Sequence, residues 1–196
     1  MLKVETTSVL LMVGQGQSAV AQTAETEAAT DAPLVEAVKG GDRDAFAKLY
    51  DVYAPMVHGI LLARVPYGEV GDLVQDVFLL ALKRLTTLRD GAAFGPWVAM
   101  IARNRAMDFH RRAREIEELS EEVAGPLSPE AEAAEILRAI RSLPDAYRET
   151  LVLRLVEGMT GPEIAERTGL RPDSVRVNLH RGMKILREKL GIGGEK

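Results

Sequence analysis

Apolar residues recur at three- and four-residue spacing in block after block of this chain, and nowhere do they alternate over a strand's length. The first block holds Leu34, Val35 and Val38, behind a capping Asp31 with Pro33 in the opening turn. Gly40-Gly41 breaks it. Asp42 starts a longer helix through Ala45, Phe46, Leu49, Tyr50, Tyr53, Val57, Ile60 and Leu61, which Pro55 is expected to kink. Pro66-Tyr67-Gly68 reads as a turn. Asp72 to Leu88 is a third helix, with Leu73, Val77, Leu80, Ala81 and Leu85 toward a core and Asp72, Gln75, Asp76 and Lys83 outside. Leu88 to Phe94 is a loop, and Pro96 opens a fourth helix through Trp97, Ile101, Asn104 and Phe109 to Arg112. The pattern predicts an all-α chain.

The second half continues the rule. Ser142-Leu143-Pro144, Tyr147-Arg148-Glu149 and the run Leu151 to Leu155 form a further helix that stops at Gly158. Thr160 can cap the next one, because Glu163 sits three residues on, where its carboxylate reaches back to the cap nitrogen. Ile164 and Ala165 face inward, and Thr168-Gly169 ends the helix with a residue that accepts left-handed geometry. Pro172 and Asp173 open another, with Ser174 near its positive end. Val175, Leu179, Leu186 and Leu190 share one side of it. Arg176, His180 and Lys184 recur every four residues on another, with Arg181 beside them. A packing face joined to a face for phosphates and base edges is what a helix-turn-helix recognition helix requires. The same pattern also suits an amphipathic pair with a solvated basic surface.

Composition narrows the classes. At 196 residues the chain fits one large domain or two small ones, and aromatics at 5% point to aliphatic helical cores. Having no cysteine excludes disulfides and thiolate zinc sites and fits a reducing cytoplasm. His58, His110 and His180 lack metal-ligand spacing, so neither metal nor cofactor is expected. A net charge of −4 fits poorly with nucleic acid until the charge is mapped. Arg103, Arg105, Arg111, Arg112 and Arg114 cluster against Asp108 alone. Arg171, Arg176, Arg181, Lys184, Arg187 and Lys189 cluster against Asp173 and Glu188. Residues 115–135 between them are rich in glutamate and carry no base. Two basic patches joined by an acidic strap give a small net charge and a strongly patterned field.

Residues 1–30 carry the least information. Ser8 to Val13 is apolar but too short to span a bilayer, and Lys3 is offset by Glu5, so a secretory signal lacks its basic start. Ala19-Val20-Ala21 faintly resembles a cleavage site. A disordered tail is the expectation, with a mis-assigned start or a short added helix as the alternatives.

The segments from Glu135 to Leu190 together resemble region 4 of bacterial sigma factors, the domain that reads the −35 promoter element. Asp72-Leu73-Val74-Gln75-Asp76-Val77-Phe78, followed by Phe94 to Asn104, is similar to region 2 of the extracytoplasmic-function (ECF) sigma factors. Both halves of the family's two-domain pattern are thus present in order. The resemblance implies a tail at 1–30, a region 2 domain over 31–114, a flexible acidic linker over 115–134, a region 4 domain over 135–191, and a short tail at 192–196.

It also implies roles. Asp72, Gln75 and Asp76 match the helix that docks on the clamp helices of the largest catalytic subunit of core RNA polymerase; read alone, they are a solvated acidic helix start. The loop with Asp90, Gly91, Ala92 and Phe94 matches the family's specificity loop, which captures a base flipped from the −10 element. Asn104 aligns with a −10 contact, although a surface hydrogen bond is a plain alternative. Arg103, Arg105, Arg111 and Arg112 match residues that hold the melted strand. Trp97 and Phe109 can stack on bases, but Trp97 is expected in the core. Met100 and Met107 stand where relatives often carry polar or basic residues, which leaves the −10 preference open. On the −35 side the match places Arg176, His180 and Arg181 on the major groove, with Arg176 the first choice for guanine, and gives Arg171 and Lys184 to phosphates.

The linker would thread the polymerase's RNA exit path, or serve simply as a solvated connector. Implied partners are core polymerase, including the flap of its second-largest subunit, promoter DNA and an anti-sigma factor. The expected function is that of a cytoplasmic alternative sigma factor with no active site of its own. The alternatives are a sigma-like decoy that binds an anti-sigma factor without touching DNA, and an ordinary helix-turn-helix repressor.

Overall fold

The structure, a computed structural model, describes residues 31–117 and 130–191. The tail expected at 1–30, most of the acidic strap and residues 192–196 lie outside them. Among the described residues there are eight α-helices and no strand. They are α1 (31–39), α2 (Arg43–Leu62), α3 (Tyr67–Arg84), α4 (Phe94–Glu117), α5 (Glu130–Arg141), α6 (Asp145–Leu155), α7 (Gly161–Thr168) and α8 (Pro172–Lys189).

Helices α1 to α4 bundle around Leu49, Met56, Val57, Ile60, Val77, Phe78, Phe94, Val98 and Ala102, all nearly or fully excluded from water. Asp42 caps α2 as its position foretells, accepting from the amides of Asp44 and Ala45 at 2.9 and 3.1 Å. Pro55 does not end the helix. It lies on the exposed side, and the carbonyl its missing N–H leaves unmatched belongs to Asp51, which also faces water. Asp31 departs from the expected capping role: it lies inside α1, buried, and accepts a short hydrogen bond from the Tyr53 hydroxyl. Burial and that neighbouring carboxyl push the Tyr53 hydroxyl far above its ordinary range.

Helix α3 starts five residues before its expected beginning, with Pro66 at the cap, so the predicted turn at Tyr67-Gly68 is its first turn. Its buried stripe is accordingly Val70, Val74, Val77, Phe78 and Ala81, while Leu73 and Leu80 are only half-buried. The expected loop from Leu88 to Phe94 contains a short 3-10 turn at Gly91–Ala93, and α4 opens at Phe94, two residues before Pro96.

The second module is built from α5 to α8 around Ile140, Leu143, Leu151, Leu153, Ile164, Val175 and Leu186. One helix was expected before the helix-turn-helix and two are present. Pro144, unable to continue α5, takes the cap position of α6. Helical structure also enters the acidic strap from both sides, through Glu117 and from Glu130, where Glu- and Ala-rich sequence favours it.

The two modules touch. Helix α6 packs on α2, and α7 packs on α4 and α2. This seam is absent from any pattern in the sequence.

Candidate nucleic-acid interface

The turn between α7 and α8 is set by local chemistry. Thr160 caps α7: its amide donates to Glu163 Oε2 at 2.7 Å, its hydroxyl does so at 2.6 Å, and the Glu163 amide returns a bond at 3.4 Å. Burial tends to raise the Glu163 carboxyl, yet the bonds from Thr160 outweigh it and hold the group below its usual range. Gly169 closes the helix at φ 72°, a conformation that a side chain would strain. Two residues later Arg171 stands at the cap of α8 and Pro172 fills its first position.

Helix α8 buries Val175, Gly182 and Leu186 against the module core. That choice turns Arg176, His180, Arg181 and Lys184 outward, and all four are exposed, as is Arg171 at the cap. The Arg176 side chain is 81% exposed, and its ion-pair partner among the described residues is Asp173 at 3.5 Å within its own first turn. Residues four apart on a helix lie about 5–6 Å apart, so Arg176, His180 and Lys184 form one outward row.

The basic face of α4 is arranged differently. Arg112 is exposed, and Arg111 is exposed with a local ion pair to Asp108 at 3.0 Å. Asn104 is exposed and lines a shallow groove with Leu80, Arg84, Ile101, Arg105, Met107 and Asp108. Arg105 is half-buried. Arg103 points away from this surface into the seam, where its Nε and Nη2 donate to Glu149 at 3.2 and 2.7 Å.

Two members of the expected specificity loop are interior. Phe94 is 0% exposed, packed between Tyr53 at 5.2 Å and Trp97 at 6.0 Å between ring centres, so its ring supports the loop and offers no face to a base. Gly91 is buried against the Ala32 backbone, where an added Cβ would sit 2.7 Å away. Of the four expected contacts, the exposed ones are Asp90, whose carboxylate accepts from the Ala92 amide at 3.0 Å, and Ala92 itself. Lys39 of α1 steadies the loop's start with a bond to the Leu88 carbonyl at 2.9 Å, a contact across 49 residues that no local motif announces. Trp97 and Phe109 are half-buried. Met100 and Met107 are exposed on α4.

Asp72, Gln75 and Asp76 share an exposed face of α3, and Leu79 and Leu82 extend it as large exposed apolar groups. The spacing 72, 75, 76, 79, 82 follows the helix period; sequence reasoning stopped at the polar members, because an exposed leucine looks like core until burial is known. No described helix is long and apolar enough to cross a membrane, and no group of acids and histidines among the described residues is placed to hold a metal ion.

Comparison with known proteins closes the question of family. The family model described as Sigma-70 region 2 matches residues 49–116, and that described as Sigma-70, region 4 matches residues 133–186. RNA polymerase sigma factor CarQ of Myxococcus xanthus is 34% identical over 80% of this chain and 95% of its own length. The ECF RNA polymerase sigma-E factor of Escherichia coli K12 is 31% identical over 84% of this chain and 96% of its own. Among solved structures, CnrH in complex with the cytosolic domain of CnrY shares the fold at a TM-score of 0.62, with 24% identity over 84% of this chain and 99% of that one. The two family models and the likeness to CarQ and sigma-E over at least four-fifths of this chain place it in the sigma-70 family, among the ECF sigma factors.

Proposed function

We propose that this sigma factor works through three surfaces, each assigned to side chains of this chain. Arg176, His180 and Arg181 read the −35 major groove, with Arg171 and Lys184 on flanking phosphates. The observation that carries this reading is the outward row on α8, held at a set angle by the capping box and the Gly169 turn. Arg176 is best placed to form a bidentate pair with guanine, a contact worth about 1–3 kcal/mol of discrimination.

Asp90, Ala92 and the loop main chain approach a flipped −10 base, with Asn104 beside them, while Arg105, Arg111 and Arg112 hold the strand by its phosphates. Phe94 is a prop for this loop. Arg103 joins the strand contacts only after it leaves Glu149. Asp72, Gln75 and Asp76 dock on the clamp helices of core RNA polymerase, and Leu79 and Leu82 add an apolar edge to that surface. Residues 31–114 form the −10 and core-binding domain, 135–191 the −35 domain, and 115–134 the connector between them. The second domain also engages the polymerase flap. The protein acts in the cytoplasm, performs no chemistry of its own, and is held by an anti-sigma factor, as the sigma factor RpoE of Bartonella quintana, which shares the fold, is held in its complex with the anti-sigma factor NepR.

Run-off transcription with core polymerase tests the reading. Promoter-dependent transcript is expected from the wild type. Arg176→Ala should cut output from promoters that need their −35 element by roughly 5- to 150-fold, the equivalent of 1–3 kcal/mol, with core binding unchanged. Equal loss of core binding would overturn the assignment. Core binding without transcript would favour the decoy, and tight duplex binding without core the repressor.

A further inference from the structure

The loop that carries Asp90 and Ala92 is held along its length by α1, a helix that precedes the residues matched by the region 2 family model. One line of α1, formed by Asp31, Val35 and Val38, is buried in the first module. The neighbouring line, with Ala32 and Lys39, runs beside the loop. At its far end Lys39 Nζ donates to the Leu88 carbonyl at 2.9 Å, and Glu36 steadies the ammonium at 2.8 Å. Two turns back, Ala32 lies so near Gly91 that a Cβ on the glycine would sit 2.7 Å from the Ala32 Cα. The end of the loop is reached through a relay. Asp31 accepts from the Tyr53 hydroxyl, and the Tyr53 ring meets Phe94 edge-on at 5.2 Å between centres.

The spacings agree. Two turns of helix rise about 10 Å, a distance that the three residue steps from Leu88 to Gly91 can cover. Leu88 and Asp90 are both in extended conformation, so the first half of the loop runs back along α1 and meets it at both ends. Fixing Gly91 orients the groups on either side of it. The Asp90 carboxylate accepts from the Ala92 amide at 3.0 Å, and the Asp90 carbonyl accepts from that of Ala93 at 3.1 Å. These short bonds shape one turn, but they do not tie that turn to the body of the module. Without α1 the loop would have to be ordered when it meets a base, and that cost falls on binding.

We propose that α1 is a splint for the −10 specificity loop, with Lys39, Ala32 and Asp31 as positioning residues that set how sharply the loop discriminates among bases. None of the three needs to touch DNA. Asp31 is buried, Ala32 faces Gly91, and the Lys39 ammonium is shared between Glu36 and Leu88. Discrimination depends on donors and acceptors held in place before the base arrives, and a loosened loop accepts the wrong base nearly as well as the right one.

The consequence for promoter choice rests on the proposed role of the loop; the grip of α1 does not. Hydrogen exchange at the Ala92 and Ala93 amides of the full chain measures the grip. Run-off transcription with core polymerase, from promoters carrying each base in turn at the position the loop reads, measures discrimination. Lys39→Met keeps the stem and removes the donor. Exchange should quicken by about threefold to tenfold, and discrimination should fall by a similar factor, as one partly exposed hydrogen bond supports, with core affinity unchanged. Lys39→Arg, which keeps a donor in reach of the Leu88 carbonyl, should restore both. Val35→Ala, on the buried line of α1, should lower the thermal midpoint and leave the discrimination ratio at its wild-type value. Unchanged exchange in Lys39→Met overturns the splint. Faster exchange with undiminished discrimination, or a ratio that falls in step with the thermal midpoint across both variants, overturns the positioning role. A wild type that transcribes equally from all four promoters, with exchange behaving as expected, overturns the proposed role of the loop and upholds the splint.

Discussion

On α8 the side chains of Arg176, His180, Arg181 and Lys184 stand in water, whereas on α4 Arg103 is turned into the seam and Arg105 is half-buried. Both helices carry the same kind of residue at similar density, so composition does not separate them. What differs is the neighbour. The inner face of α8 packs on α6, which leaves its basic side outermost. Helix α4 is contacted on a second side by α7, and Glu149 of α6 reaches its Arg103. A cationic helix is therefore a nucleic-acid face only as far as tertiary packing leaves its charges unspent, and the two helices of this chain differ in that respect at rest.

The comparison can be broken first at Phe94. If its ring is core, Phe94→Ala costs about 3–5 kcal/mol, visible as a large drop in thermal or denaturant midpoint. An unchanged midpoint with failed promoter melting would return Phe94 to the DNA surface.

Arg103→Ala and Arg112→Ala sharpen it next. The first removes charge-assisted bonds to a buried carboxylate and is expected to lose about 1–3 kcal/mol of unfolding free energy. The second removes an exposed cation and should leave stability within about 0.5 kcal/mol, while weakening binding to single-stranded −10 DNA. Equal stability losses would show that Arg112, too, serves the fold.

On α8, Lys184→Ala should reduce the salt dependence of promoter-duplex binding by roughly one phosphate's worth, a slope change of about 0.9, with no change in melting temperature. A loss of stability there would place Lys184 in the packing.

The smallest effect is in pH. The Glu149 carboxyl sits below its ordinary value of 4.5 in the folded chain, so its contribution to stability is present above 4.5 and is lost as pH falls through the depressed value. His58 is raised above 6.5 by its bond to Glu157, which outweighs its burial, so its contribution is full below 6.5 and fades as pH rises through the raised value. Thermal or denaturant stability should therefore be highest between about 4.5 and 6.5 and decline on either side. Glu149→Gln should flatten the acid limb and His58→Gln the alkaline one, each with lower stability inside that window.

Local chemistry, legible without a fold, determined much of this protein. The cap at Thr160 and Glu163, the turn at Gly169, the start at Pro172 and the outward spacing of Arg176, His180 and Lys184 depend on residues within one or two turns of each other, so a linear reading reaches them. The acidic face at Asp72, Gln75 and Asp76 follows from the same periodicity. Tertiary structure alone decided that Phe94 and Gly91 are interior, that Asp31 serves Tyr53, that Leu79 and Leu82 stay outside, and that Arg103 is held by Glu149. Each of those outcomes depends on a partner between 22 and 59 residues away or on which side of a helix a neighbour covers. Helical spacing says which side chains share a face. Only packing says whether that face meets water, the core or another charge.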